Sequence, residues 1–110
     1  MNRIAMSSAA AGLLRALIAR AGLPRDRILL TDLHSTDWQS LTLIGERHRL
    51  KLRVIGTDAD AAINRICCGL EDAEFKIPRQ IVADIAVAGE PVRAGDGSVC
   101  VVIEALTVEE

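Results

Sequence analysis

Aromatic side chains are almost missing from this chain: it has no tyrosine, one phenylalanine, Phe75, and one tryptophan, Trp38. A site that works by stacking has little material, and the core must be assembled from Leu, Ile, Val and Ala. Cysteine is scarce as well. Cys67 and Cys68 are adjacent and Cys100 is distant, which is not the paired framework of a disulfide-stapled secreted domain, so a reducing, cytoplasmic setting is expected. No apolar run reaches the ~18–20 residues of a membrane span. The best, residues 9–22, is interrupted by Arg15 and Arg20, which also spoil a secretory signal. No membrane partner is expected.

Acidic residues are absent from residues 1–25, which carry Arg3, Arg15, Arg20 and Arg25. Organelle transit peptides share that composition, although the segment also reads as an ordinary capped helix. The dinucleotide glycine fingerprint, the Walker-type phosphate loop and the Gly-x-Ser-x-Gly elbow are all missing. Gly95-Asp96-Gly97 is a turn without the helix that a phosphate cradle needs. No cofactor is expected.

What is present is a globular composition, half hydrophobic and one quarter charged, over 110 residues. That length suits one domain with one core, spanning residues 1–110, with residues 1–7 expected to be disordered. The net charge of -2 conceals an asymmetry. Residues 1–53 hold nine Arg/Lys against four Asp/Glu, and residues 54–110 hold four against eleven. The two halves should attract each other as neighbours in one fold.

The most informative stretch is Arg47 to Val54. Arg47, Arg49, Lys51 and Arg53 alternate strictly with His48, Leu50, Leu52 and Val54, and a period of two marks a half-buried strand. One face goes to a core while the other carries four cations in a row. Gly45-Glu46 reads as a two-residue hairpin turn joining this strand to the run before it. That register places Trp38 opposite Arg53, close enough for a cation–π contact of roughly 0.5–1 kcal/mol, and gathers Leu41, Leu43, His48, Leu50 and Leu52 on one face.

Elsewhere Ser7 or Ser8 caps a helix over residues 8–21, stopped by Gly22 and Pro24. Extended structure runs from Arg27 through a polar knot at His34–Asp37 and on from Trp38 to Ile44. Thr57-Asp58-Ala59-Asp60 resembles a capping box before a second helix carrying Ile63, Ile66, Cys67 and Leu70. Two more extended runs, residues 80–88 and 98–108, are joined by a Gly/Pro/Asp-rich turn.

The order is α-β-β-α-β-β. It predicts an α+β two-layer sandwich, a four-stranded antiparallel sheet with both helices on one face. A permuted ferredoxin-like arrangement, with the second and fourth strands central, is the first choice, and a meander is the alternative. The last two strands are apolar on both sides, which strands buried on both faces usually are. Val82, Ala86, Cys100, Val102 and Leu106 are therefore expected on a homodimer interface.

Trp38, Thr42, Arg47, Arg49, Lys51 and Arg53 form the candidate surface for an anionic small ligand or an acidic protein segment. A single-stranded nucleic acid is a weaker fit, because such platforms pair a basic domain with several aromatics. Asp32, His34, Asp37, Glu46 and His48 have the donor chemistry of a metal site, but their spacing matches no metal motif. None is expected. Cys67 lies on the apolar stripe of the second helix and reads as core. The acids of Glu71-Asp72-Ala73-Glu74 read as a solvated loop beside a core plug, Phe75.

Two functions of different classes follow. The first is a non-catalytic binding or assembly module that dimerises through its sheet. The second is a small enzyme using His34 or His48 as acid or base beside Asp32 or Asp37.

Overall fold

The structure is a computed structural model describing residues 5–110. Ser7 caps helix α1, Ser8–Ala21, its hydroxyl accepting a hydrogen bond from the Ala10 amide at 3.1 Å. Of the leading residues expected to be disordered, 1–4 lie outside the described residues. After a 3-10 turn at Arg25–Arg27 come strands β1, Ile28–Gln39, and β2, Ile44–Val54. Helix α2, Ala59–Cys67, leads through a second 3-10 turn at Leu70–Asp72 to β3, Gln80–Val87. A two-residue strand β4, Val92–Arg93, and then β5, Val99–Glu109, follow.

All pairings are antiparallel, and the long strands lie in the order β1-β2-β5-β3, with β4 continuing the β3 side of β5. The chain is thus α+β, with β5 inserted between β2 and β3, which excludes the meander. The sheet has five strands rather than four because part of the Gly/Pro/Asp-rich turn, Val92 and Arg93, pairs with Cys100 and Val99.

Both helices pack on the same face of the sheet. Leu13, Leu17 and Ala21 of α1 and Ala62, Ile63 and Ile66 of α2 join Leu50, Leu52, Val54, Val99, Val101 and Ile103 in one core. Leu13, Leu17, Leu50, Leu52 and Ile103 are fully buried, each worth about 1.5–3 kcal/mol of transfer from water. Phe75 packs at the margin of this cluster, as a plug should.

The hairpin turn is not at Gly45-Glu46. It is the loop from Ser40 to Leu43, where the Ser40 hydroxyl accepts from the Leu43 amide at 3.1 Å and the Ser40 amide donates to the Leu43 carbonyl at 2.9 Å. Gly45 is instead paired within β2, because a Cβ there would lie 2.0 Å from the Thr107 carbonyl oxygen. Glycine is required by close approach of β5, not by a turn. The true register sets Trp38 opposite Gly45 and Arg53 opposite Leu29. Eight residues of strand, ~27 Å, separate Trp38 from the arginine expected to lie over it, so that cation–π contact does not form. Leu41 and Leu43 are in the exposed loop rather than on the core face, Leu41 completely so at 103%.

The extended run holds through the polar knot at His34–Asp37, which lies within β1. Two further expectations are corrected. The capping box does not close: Asp58 is the N-cap of α2 without a side-chain cap bond, its carboxylate being taken by Arg27. A bulge between Val82 and Asp84 shifts β3 by one residue, so Val82 pairs with Thr107 and joins Ile85 and Val87 against the core. Val82 therefore does not belong to the outer face.

Candidate functional site

One face of the sheet carries no helix, and the register arranges its side chains in rows that cross the strands. Trp38, Gly45, Val108 and Ile81 form the first row, and Thr36, Arg47, Leu106 and Asp84 the second. His34, Arg49, Glu104 and Ala86 form the third, Asp32, Lys51 and Val102 the fourth, and Leu29, Arg53, Cys100 and Val92 the fifth. The β2 alternation is thus confirmed as a facial pattern. The cations line up on the open side, and His48, Leu50, Leu52 and Val54 are buried beneath the helices.

The row is not uniformly available. Arg49 Nη1 donates to Glu104 Oε2 at 3.0 Å across the β2–β5 seam. Arg53 Nε donates to the Ser98 hydroxyl at 3.0 Å while its outer nitrogen pairs with Asp96. The Ser98 hydroxyl and amide both donate to Asp96 and, with Arg53, hold its carboxyl down at about 2. Arg47 and Lys51 are exposed and have no ion-pair partner among the described residues. Among the described residues, three of the four arginine–carboxylate pairs, Arg27–Asp58, Arg49–Glu104 and Arg53–Asp96, join the basic first half to the acidic second half. The charge asymmetry is partly discharged inside the fold.

Beside the cations, Ala86, Cys100, Val102 and Leu106 are half-buried on the same open face, and Ile81 and Leu29 are 49% and 41% exposed. A cleft of about 220 Å³ lies between Arg47, Asp84, Ala86 and Glu104. Of the eleven residues expected on this surface, Val82 and Thr42 are elsewhere: Val82 faces the core and Thr42 sits in the hairpin loop. The acid Asp84, paired with Leu106 in the second row, belongs to the surface as well.

The alternative acid–base residues fare differently from one another. His34 Nε2 is 3.5 Å from Asp32 Oδ2, both well exposed on the edge strand β1. His48 is on the other face, 2% exposed, with Nδ1 at 2.8 Å from the Ser35 hydroxyl and Nε2 at 2.8 Å from the Thr107 hydroxyl. Burial pushes its pKa below 6.5, opposed by the nearby Glu46 carboxylate. A serine–histidine pair resembles the start of a nucleophilic triad, but the third member here is a neutral hydroxyl where an imidazolium needs a carboxylate. The bridge works structurally: it joins β1, β2 and β5 and leaves no buried polar side-chain atom without a partner among the described residues. The His48 ring is hydrogen-bonded to Ser35 and Thr107, not to Asp32 or Asp37.

Cys67 is half-buried with its thiol pushed up by burial, and Cys68 is exposed. A hollow of about 660 Å³ opens between residues 73–82 and Glu110, with Lys76 and Arg79 in its lining. It includes none of the open-face cations. Among the described residues, no helix is long and apolar enough to cross a membrane. Comparison of the chain with protein-family models, with curated proteins and with solved structures finds no match.

Proposed function

We propose that this protein is a non-catalytic binding and assembly module whose open sheet face receives its partner, forming a homodimer through that face. The observation that carries the reading is the juxtaposition on one surface of two unpaired cations, Arg47 and Lys51, with an apolar strip of Ala86, Cys100, Val102 and Leu106. Closed two-fold dimers are the commonest oligomers, and apolar patches rimmed by polar groups mark interaction surfaces. The unpaired cations suit an anionic group, supplied by a small ligand or an acidic protein segment.

A nucleic-acid platform is less well supported, because Asp84 and Glu104 share the face and Trp38 is its single aromatic. We read the strand order as the permuted ferredoxin-like arrangement, and the three free thiols suit a reducing compartment such as the cytoplasm.

Size-exclusion chromatography with light scattering tests the proposal. The full chain is expected to run as a dimer at tens of micromolar, and Val102→Asp or Leu106→Asp to run as a folded monomer. A clean monomer for the unmodified chain at high micromolar concentration would overturn it.

A further inference from the structure

We propose that the partner on the open face is a second copy of this chain, related by a two-fold axis that runs along β5. The inference rests on the assembly reading above and names the register in which two copies meet. Its basis is the second cross-strand row, in which Arg47, Leu106 and Asp84 are consecutive neighbours on β2, β5 and β3. The row therefore reads cation, apolar, anion. Arg47 and Asp84 are both exposed, and neither has an ion-pair partner among the described residues.

Such a row is its own complement under one rotation. A two-fold axis parallel to β5 and lying between two facing sheets carries each row onto itself in reverse, without shifting it along the strands. Leu106 then meets the partner's Leu106, and Val102 the partner's Val102. One strand spacing to either side, ~4.8 Å, Arg47 meets the partner's Asp84 and Asp84 meets the partner's Arg47. An axis along the β2–β5 seam would instead set Arg47 against the partner's Leu106 and leave Asp84 facing the partner's Thr36. Of these two axes, the one on β5 pairs both unmatched charges of the row while keeping the apolar residues central, the arrangement in which desolvation is rewarded and the charges sit at the rim. Glu104 lies on the axis, where Arg49 already neutralises it.

The experiment is a charge exchange on the full-length chain, read as the dimer dissociation constant by light scattering across a concentration series. Asp84→Arg carries two cations on the row, and Arg47→Asp carries two anions. Each alone is expected to weaken the homodimer by about tenfold or more, and an equimolar mixture of the two to recover dimer, since every cation then meets an anion. Lys51→Asp makes the same change in net charge as Arg47→Asp but keeps Arg47 and Asp84 of the row, and it is expected to dimerise as tightly as the unmodified chain, because Lys51 is two rows away. That control separates the register from a general effect of net charge.

If both single variants dimerise as tightly as the unmodified chain while Leu106→Asp is monomeric, the axis is overturned and the open-face assembly stands. If Lys51→Asp weakens the dimer as much as Arg47→Asp does, the register is likewise overturned. A monomeric unmodified chain would overturn both. Far-UV circular dichroism of the variants, whose substituted positions are exposed or, at Leu106, half-buried, checks that none has lost its fold.

Discussion

Arg20 and Arg65 each close the other's helix. Arg20, in the last turn of α1, donates to the Ile66 carbonyl at 3.2 Å and the Cys68 carbonyl at 2.7 Å, while Arg65, near the end of α2, donates to the Ala21 carbonyl at 2.7 Å. The carboxyl ends of the two helices therefore lie together, each with unsatisfied carbonyls and a partial negative charge. Two guanidinium groups satisfy both at once, and they tie the first half of the chain to the second.

Removing either arginine should loosen both helix ends. Arg20→Ala is expected to cost about 1–2 kcal/mol and Arg65→Ala about 1 kcal/mol, as hydrogen bonds from a charged donor to carbonyls do when partly exposed. The urea midpoint of each variant measures this. The double variant should cost less than the sum, since the two act on one junction.

His48 should make stability depend on pH. Its ring titrates near 6.5 when unfolded and lower when buried in the fold. Between those two values the unfolded chain holds the proton and the folded chain does not, so stability rises with pH through that window and is complete above it. The urea midpoint is expected to fall from about pH 7.5 to about pH 5, and His48→Gln to flatten that slope. His48→Ala, which strands the Ser35 and Thr107 hydroxyls and leaves a void, should cost about 2–4 kcal/mol at neutral pH.

Asp96 works in the opposite range. Ser98 and Arg53 hold its carboxyl at about 2 against an ordinary 3.8. The stability it contributes is fully present above 3.8 and is lost as pH falls toward 2. Asp96→Asn should be less stable than the unmodified chain at neutral pH, with the difference vanishing in strong acid. Carboxyl chemical shifts followed by NMR read its titration directly.

Gly45→Ala tests the close approach at the β2–β5 seam. The added methyl would meet the Thr107 carbonyl oxygen at 2.0 Å, and forcing the strands apart should cost about 2–3 kcal/mol. A turn glycine would behave differently, because Ala in an open hairpin loop displaces no neighbouring strand. Leu41→Ser, in the loop that does make the turn, should change stability by less than about 0.5 kcal/mol.

These two positions mark where sequence reasoning ends. The alternation from Arg47 to Val54 was legible because side-chain direction in a strand depends only on parity, and parity survives a misplaced turn. The turn itself was misread because glycine has two uses, a backbone at positive φ and a backbone with no room for Cβ, and composition does not separate them. Ser40, whose hydroxyl accepts the Leu43 amide, was the better signal. Periodicity also failed at Val82, since a bulge inserts one residue and reverses every side chain on one side of it. The candidate surface was legible as a set of residue types. Its rows were not, because pairing across β2, β5 and β3 depends on a register that no local pattern records.

The position of β5 has a consequence for how the protein is made. It lies between β2 and β3 but is synthesised after both. Until it emerges from the ribosome, β2 has one bare edge, β3 has no long neighbour, and both helices cover half a sheet. The two halves lock together in a single late step that inserts the strand carrying Val99, Val101 and Ile103. Nascent chains halted before that strand expose unpaired edges, which makes them clients for chaperones and substrates for proteases.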